Sequence, residues 1–186
     1  MARKPGYAQE AWWSSSLRRA QAGGTALHYW KLTDASWVER FKALVCEKCG
    51  HENHTDWQMS LPAIADYFVV SEWGPQFHEV KSTKLASFPK KNIIRHQLAD
   101  GVLLQSYGVP YLFIVVSKKT RGAPRCFAVD ATTVDALFAD LDYRESVPFT
   151  YFEKFGKELS PLGAKGEDAH TWDPTEVLRW KMGQSW

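Results

Sequence analysis

Residues 63–83 run AIADYFVVSEWGPQFHEVKST, two short segments rich in β-forming residues on either side of a Ser-Glu-Trp-Gly-Pro turn. That pattern predicts a β-hairpin. Side chains two apart in a strand share a face, so Glu79 and Lys81 point together while His78, Val80 and Ser82 point the other way. Asp66 lies thirteen residues before Glu79, on the first arm of the hairpin. Antiparallel pairing would bring its carboxylate beside that of Glu79.

The flanking segments supply the rest of a fold. YAQEAWWSSSLRRAQA, residues 7–22, has helical character and is followed by Gly23 and Gly24, a left-handed stop. TALHYWKL (25–32) alternates like a strand. Residues 37–59, WVERFKALVCEKCGHENHTDWQM, form two strand-like arms around a Cys/Gly/His turn, a hairpin-like insertion. NIIRHQLADGVLLQSYG (92–108) has a helical period with Asn92 as its cap and Gly101 as a soft interruption. VPYLFIVVS (109–117) is an apolar run of strand length, expected to be buried on both faces, with RCFAVD (125–130) as a neighbour.

TTVDALFADLD (132–142) makes another helix, KELSPLGAKGEDA (157–169) is loop-like, and WDPTEVLRWKMG (172–183) closes with a short helix. In that last helix Asp173 is the N-cap, Pro174 the first helical position and Glu176 the third. The order predicts an α/β fold with a mixed β-sheet flanked by helices. Residues 1–148 would form the main domain, including the 37–59 insertion, and 149–186 a C-terminal extension.

At 186 residues and 45% hydrophobic composition the chain can bury a full core in one domain. No apolar run approaches bilayer length, and MARKPGYAQEAWW lacks the apolar stretch of a secretory signal, so a cytoplasmic protein is expected. The net charge is only +2, but Lys81, Lys84, Lys90, Lys91 and Arg95 crowd around the hairpin, and such local patches matter for polyanion partners. Three cysteines are too few for a disulfide framework.

Two carboxylates converging on one spot repel unless they share a proton or hold a cation. Oxygen ligation with room for water suits Mg2+ or Mn2+, and the main-chain carbonyl of Val80 offers a further oxygen. A hydrated divalent ion there would lower the pKa of an attacking water and neutralise charge on a phosphate, and Lys81 would orient or help deprotonate that water. This chemistry fits phosphodiester hydrolysis. Taken alone, a Glu-x-Lys tripeptide is far more often a solvated strand edge than a catalytic centre.

The pattern Asp66-x12-Glu79-Val-Lys81 resembles the active-site signature of the PD-(D/E)xK nuclease superfamily. The longer run EVKSTKLASFPKKNIIRHQ is similar to the RecU family of Holliday junction resolvases, matching at Glu79, Lys81, Thr83, Ser87, Phe88, Pro89, Lys91, Asn92, His96 and Gln97. The resemblance is weak outside residues 66–117. It implies a restriction-endonuclease-like core and a Mg2+- or Mn2+-dependent endodeoxyribonuclease that resolves four-way DNA junctions as a homodimer. Asp66 and Glu79 would bind metal, Lys81 would assist the nucleophilic water, and Gln97 would position water or phosphate. Glu10 stands where this superfamily often places another acidic metal ligand, and equally at the start of an exposed helix. Beside such a centre Lys84, Lys90, Lys91, Arg95 and His96 become candidate DNA contacts. A proline directly before the aspartate is the family pattern; here Pro62 lies four residues away. Where known members carry a protruding stalk, this chain has CEKCGHENH. Rival expectations are a duplex- or flap-cutting nuclease of the same fold, and a non-catalytic DNA-binding module.

Cys46 and Cys49, followed by Gly50, have the shape of a zinc knuckle, with His51 and His54 as candidate nitrogen ligands for a structural Zn2+. Two unligated thiols are the alternative. Cys126 lies in an expected core strand. Of the adjacent Trp12 and Trp13, one is expected in the core, the other being a candidate stacking surface.

Overall fold

Helix α1 spans Tyr7–Ala22, the bounds its sequence predicts. Its end is a complete Schellman motif: Gly24 has φ +92°, its N–H donates to Gln21 O, and the Thr25 N–H donates to Ala20 O. The computed structural model describes residues 7–32, 64–118, 124–163 and 170–180. The expected insertion at 37–59 and the Cys46, Cys49, His51 and His54 knuckle lie outside them.

A six-stranded mixed sheet follows in the order β1 (Leu27–Lys31), β2 (Tyr67–Ser71), β3 (Gly74–Thr83), β5 (Tyr111–Ser117), β6 (Arg125–Asp130) and β8 (Lys157–Glu158). The β2–β3 hairpin is antiparallel with Tyr67 opposite His78. β3 and β5 run parallel, with Glu79 opposite Phe113 and Thr83 opposite Ser117. Their crossover contains β4 (Ser87–Pro89), a 3-10 turn at Lys90–Asn92, and helix α2 (Arg95–Ser106). After β6 come α3 (Ala131–Asp140), β7 (Ser146–Pro148), α4 (Phe149–Phe155) and, beyond β8, α5 (Thr175–Leu178). β4 and β7 form a separate antiparallel pair.

All seven residues of β5 are buried, as its unbroken apolar run predicts. Leu112, Ile114 and Val116 face α1 together with Trp13, Leu17 and Val80. Tyr111, Phe113 and Val115 face the opposite layer with Ile93, Val134, Phe149 and Phe152, where Leu98 and Val102 of α2 also pack. Trp13 is the core member of the tryptophan pair, and Cys126 is fully buried. Trp172, Val177, Leu178 and Trp180 join the α1-side core, so the chain's last described segment packs directly against the sheet.

That segment is anchored through a buried polar chain. Gln76 Nε2 donates to the carbonyls of Val177, Leu178 and Trp180 at 3.1–3.4 Å. Gln76 Oε1 is 3.1 Å from His78 Nε2, and Trp13 Nε1 donates to His78 Nδ1. A donor facing Nδ1 leaves the imidazole neutral and protonated at Nε2. Burial pushes the His78 pKa down to about 3, which agrees.

Three expectations are corrected. Asn92 does not cap α2; the helix starts at Arg95 behind Ile94, and Asn92 Nδ2 instead donates to Ser82 O, tying the 3-10 turn to β3. Gly101 does not interrupt α2: a Cβ there would lie 2.8 Å from the Tyr111 ring and 2.9 Å from Ala131 Cβ, so the glycine lets helix and sheet approach. Lys157 and Glu158 form an edge strand on β6 rather than a loop, which covers backbone groups β6 would otherwise expose. The last helix is corrected as well: it starts at Thr175 with Pro174 in the N-cap position, so Asp173, which accepts from the Thr175 N–H and hydroxyl, stands one residue before the cap, and Glu176, second in the helix, accepts from Ser160. Among the described residues no helix is long and apolar enough to cross a membrane.

Candidate active site

The hairpin register places Asp66 one step beyond the Tyr67–His78 pair, opposite Glu79. β2 begins only at Tyr67, so the Asp66 side chain takes the place of a partner strand: its Oδ2 accepts the Val80 N–H at 2.7 Å. Glu79 is almost fully buried, at 1% exposure. Its Oε1 lies 2.5 Å from Lys81 Nζ, while Oε2 is buried with no hydrogen-bond partner. The convergence of residues 66, 79 and 81 follows directly from strand parity and hairpin register.

Electrostatics bear the marks of crowding. Burial raises the pKa of Asp66, opposed by the Val80 N–H and reinforced by the charge of Glu10. Burial also raises that of Glu79, with the Asp66 charge next in size and Lys81 acting against it. A carboxylate oxygen that is buried and unpartnered is costly in a protein. It is also the state expected of a ligand atom facing a cation. Among the described residues no group of three or more His, Cys, Asp or Glu side chains forms a cation site. Asp66 and Glu79 would therefore hold an ion as a pair of carboxylates, the remaining positions going to main-chain oxygen, water and phosphate. This is the donor set that Mg2+ favours.

Glu10 forms an ion pair with Lys31 at 2.6 Å, at the end of β1, near enough for its charge to reach Asp66. Gln97 lies in the first turn of α2, and its Oε1 is buried without a partner. One turn on, Gly101 rests against Tyr111, whose phenol feels the charges of Glu79 and Asp66. α2 thus crosses the same sheet face as Glu79. Lys90 is committed elsewhere: its ammonium donates to the carbonyls of Phe138 and Leu141 at the end of α3. Lys84, Lys91, Arg95 and His96 are exposed. Trp12 is half-buried, its ring tilted against that of His170 with centroids 4.3 Å apart.

Two tyrosines absent from the sequence-derived set brace this site. The Tyr111 hydroxyl donates to Ile64 O at 2.7 Å, two residues before Asp66, and the Tyr67 hydroxyl donates to Glu10 O at 2.6 Å. The available signal is chemical: a buried tyrosine in an apolar strand needs a partner for its hydroxyl. Gln9, buried on α1, accepts from the Ser82 hydroxyl and holds the end of β3 from the other side.

No protein-family model matches the chain, and no curated protein matches it in sequence.

Proposed function

We propose that this chain is a metal-dependent endodeoxyribonuclease with a restriction-endonuclease-like core, selective for four-way DNA junctions and acting as a homodimer. The observation that carries the reading is the buried Asp66–Glu79 pair with Lys81 at 2.5 Å and one Glu79 oxygen left without a donor. The run of similarity to the RecU family from Glu79 to Gln97 supports the choice of substrate. So does the placement of α2, which starts with Arg95, His96 and Gln97, over the sheet face that carries Glu79.

A bound Mg2+ or Mn2+ ion would supply Lewis-acid stabilisation of phosphate charge and an acidified water. Asp66 and Glu79 hold their carboxylates oriented through the Val80 N–H and Lys81. The Lys81 ammonium, mostly shielded from solvent, neutralises Glu79 and lies where it can face a phosphate oxygen or the water that attacks it. Gln97 presents an amide from the first turn of α2 to hydrogen-bond water or phosphate. A four-way junction is nearly two-fold symmetric, and paired cuts on opposing strands call for two equivalent sites, hence the homodimer.

The test is cleavage of a synthetic four-way junction, a linear duplex and a flap, with Mg2+, with EDTA and with Asp66→Asn. Symmetric, Mg2+-dependent nicks in the junction, lost in the variant while binding persists, are expected. Comparable cutting of plain duplex would point to a restriction-like nuclease. Cutting that survives both EDTA and the substitution would reject the site, and binding without cutting would leave a DNA-binding module.

A further inference from the structure

β3 and β5 are parallel, and Thr83 pairs with Ser117 at their carboxyl ends. The next residues, Lys84 and Lys118, therefore emerge side by side, and the Lys118 N–H donates to Thr83 O at 2.8 Å. The Lys118 ammonium lies 5.1 Å from the centroid of the Trp12 ring on α1, which places it on the sheet face opposite Phe77 and Phe113. Trp12 is itself held by His170 and by the edge of Trp172. Among the described residues no ion pair joins either ammonium to a carboxylate. Burial first, and then the charge of Lys84, lower the Lys118 pKa. Like charges set opposite each other on neighbouring strands are destabilising, and a phosphate could supply the counter-charge that no carboxylate among the described residues provides.

We propose that Lys84 and Lys118 form a second phosphate contact for nucleic acid, on the other side of the β3–β5 tip from the carboxylate pair, with Trp12 holding the Lys118 stem in place. Lys84 is five residues from Glu79, about 17 Å along an extended strand at about 3.3 Å per residue. At about 3.4 Å rise per nucleotide that corresponds to a backbone phosphate several nucleotides from the cut. Trp12 acts as a positioning residue, its ring being occupied by Lys118 and His170, and the contact is to backbone rather than to bases. This inference rests on the DNA-directed reading above, but not on catalysis.

The experiment uses the full chain carrying Glu79→Gln and a fluorescein-labelled four-way junction, with Kd measured by anisotropy from 50 to 200 mM salt, on the order of the range over which counterion release is resolved. Each phosphate contact contributes about 0.9 to the slope of log Kd against log salt. Adding Lys84→Gln and Lys118→Gln should lower that slope by roughly 0.9 and weaken binding about fourfold at the upper end, while Lys118→Arg retains both. Arg179→Gln, whose guanidinium lies over the Trp73 ring at the hairpin end of β3, away from the tip, should change neither. An unchanged slope in the double variant, an equal loss with Arg179→Gln, or no junction binding by the parent chain would overturn the proposal. A chain that never cuts yet shows the lysine-dependent slope sustains this contact while the nuclease reading fails. Metal-dependent cutting with a slope indifferent to both lysines does the reverse.

Discussion

Lys81 Nζ stands 2.5 Å from Glu79 Oε1 in a setting where Glu79 is 1% exposed and its other oxygen has no donor. The lysine is thus the counter-charge of a carboxylate withdrawn from bulk solvent. Removing one partner of a buried pair leaves an isolated charge, which typically costs about 3–5 kcal/mol. Lys81→Met should approach that scale only above about pH 7 and cost less below it, where Glu79, already held at about 7 by burial, takes up a proton. Glu79→Gln should cost far less, because the charge leaves with its desolvation penalty, and the double variant should recover much of the Lys81→Met loss. Urea denaturation of the four proteins measures this cycle, and cleavage should be lost in all three variants.

Stability should depend on pH through the same pair. Asp66 and Glu79 are held above the ordinary carboxylate range, to about 6 and about 7. Groups with raised folded-state values contribute stability that is complete below their unfolded values, about 4, and that fades as pH rises through the folded ones. His78 acts in the opposite sense: its depressed value gives stability above its ordinary range that is lost as pH falls toward about 3. The difference in Tm between the parent and Asp66→Asn/Glu79→Gln cancels the His78 contribution. The parent should lose ground to the variant as pH rises from about 4 to about 7, the window the two carboxylates define. Mn2+ should raise the parent's Tm at the upper end of that window and have little effect at the lower.

Tyr111→Phe removes one hydroxyl whose bond to Ile64 O braces the segment entering Asp66. A lost neutral hydrogen bond costs about 1 kcal/mol of stability. Removing the partners that orient a metal ligand typically costs about 10- to 100-fold in metal affinity. Calorimetric titration with Mn2+ should show a loss within that range, out of proportion to the change in denaturation midpoint.

Gly101→Ala sets two effects of opposite sign against each other. Helix propensity favours alanine by about 1 kcal/mol. A Cβ at 2.8 Å from the Tyr111 ring and 2.9 Å from Ala131 overpacks the α2–sheet contact, at about 1–3 kcal/mol. The neighbours are an aromatic ring and a methyl group close to the backbone, neither a flexible chain end, so overpacking should win and the variant should be less stable in urea. A stabilised variant would mean that α2 can lift away from Tyr111 at little cost.

Several elements are legible in the chain because local rules decide them. Helix α1 ends at Ala22 because Gly24 can adopt φ +92°. β5 is buried on both faces because it offers no polar side for water before Ser117. Asp66, Glu79 and Lys81 meet because strand parity and a two-residue hairpin turn leave no other register for the apolar residues around them. The start of α2 is not legible in this way. Asn92 is a good cap by type, yet its amide finds Ser82 O, a carbonyl supplied by a strand ten residues away.

What the amino-acid order determined by itself is the set of periodic elements and the pairing of one hairpin, since both depend on interactions among near neighbours. Only the tertiary structure decided that Lys90 spends its charge on the carbonyls closing α3, that Glu10 pairs with Lys31, and that Tyr111 braces the segment before Asp66. Each of these joins residues from separate elements. A lysine or tyrosine finds its partner by reach and desolvation once helices and sheet have packed, and no periodicity encodes which carbonyl or carboxylate will be waiting.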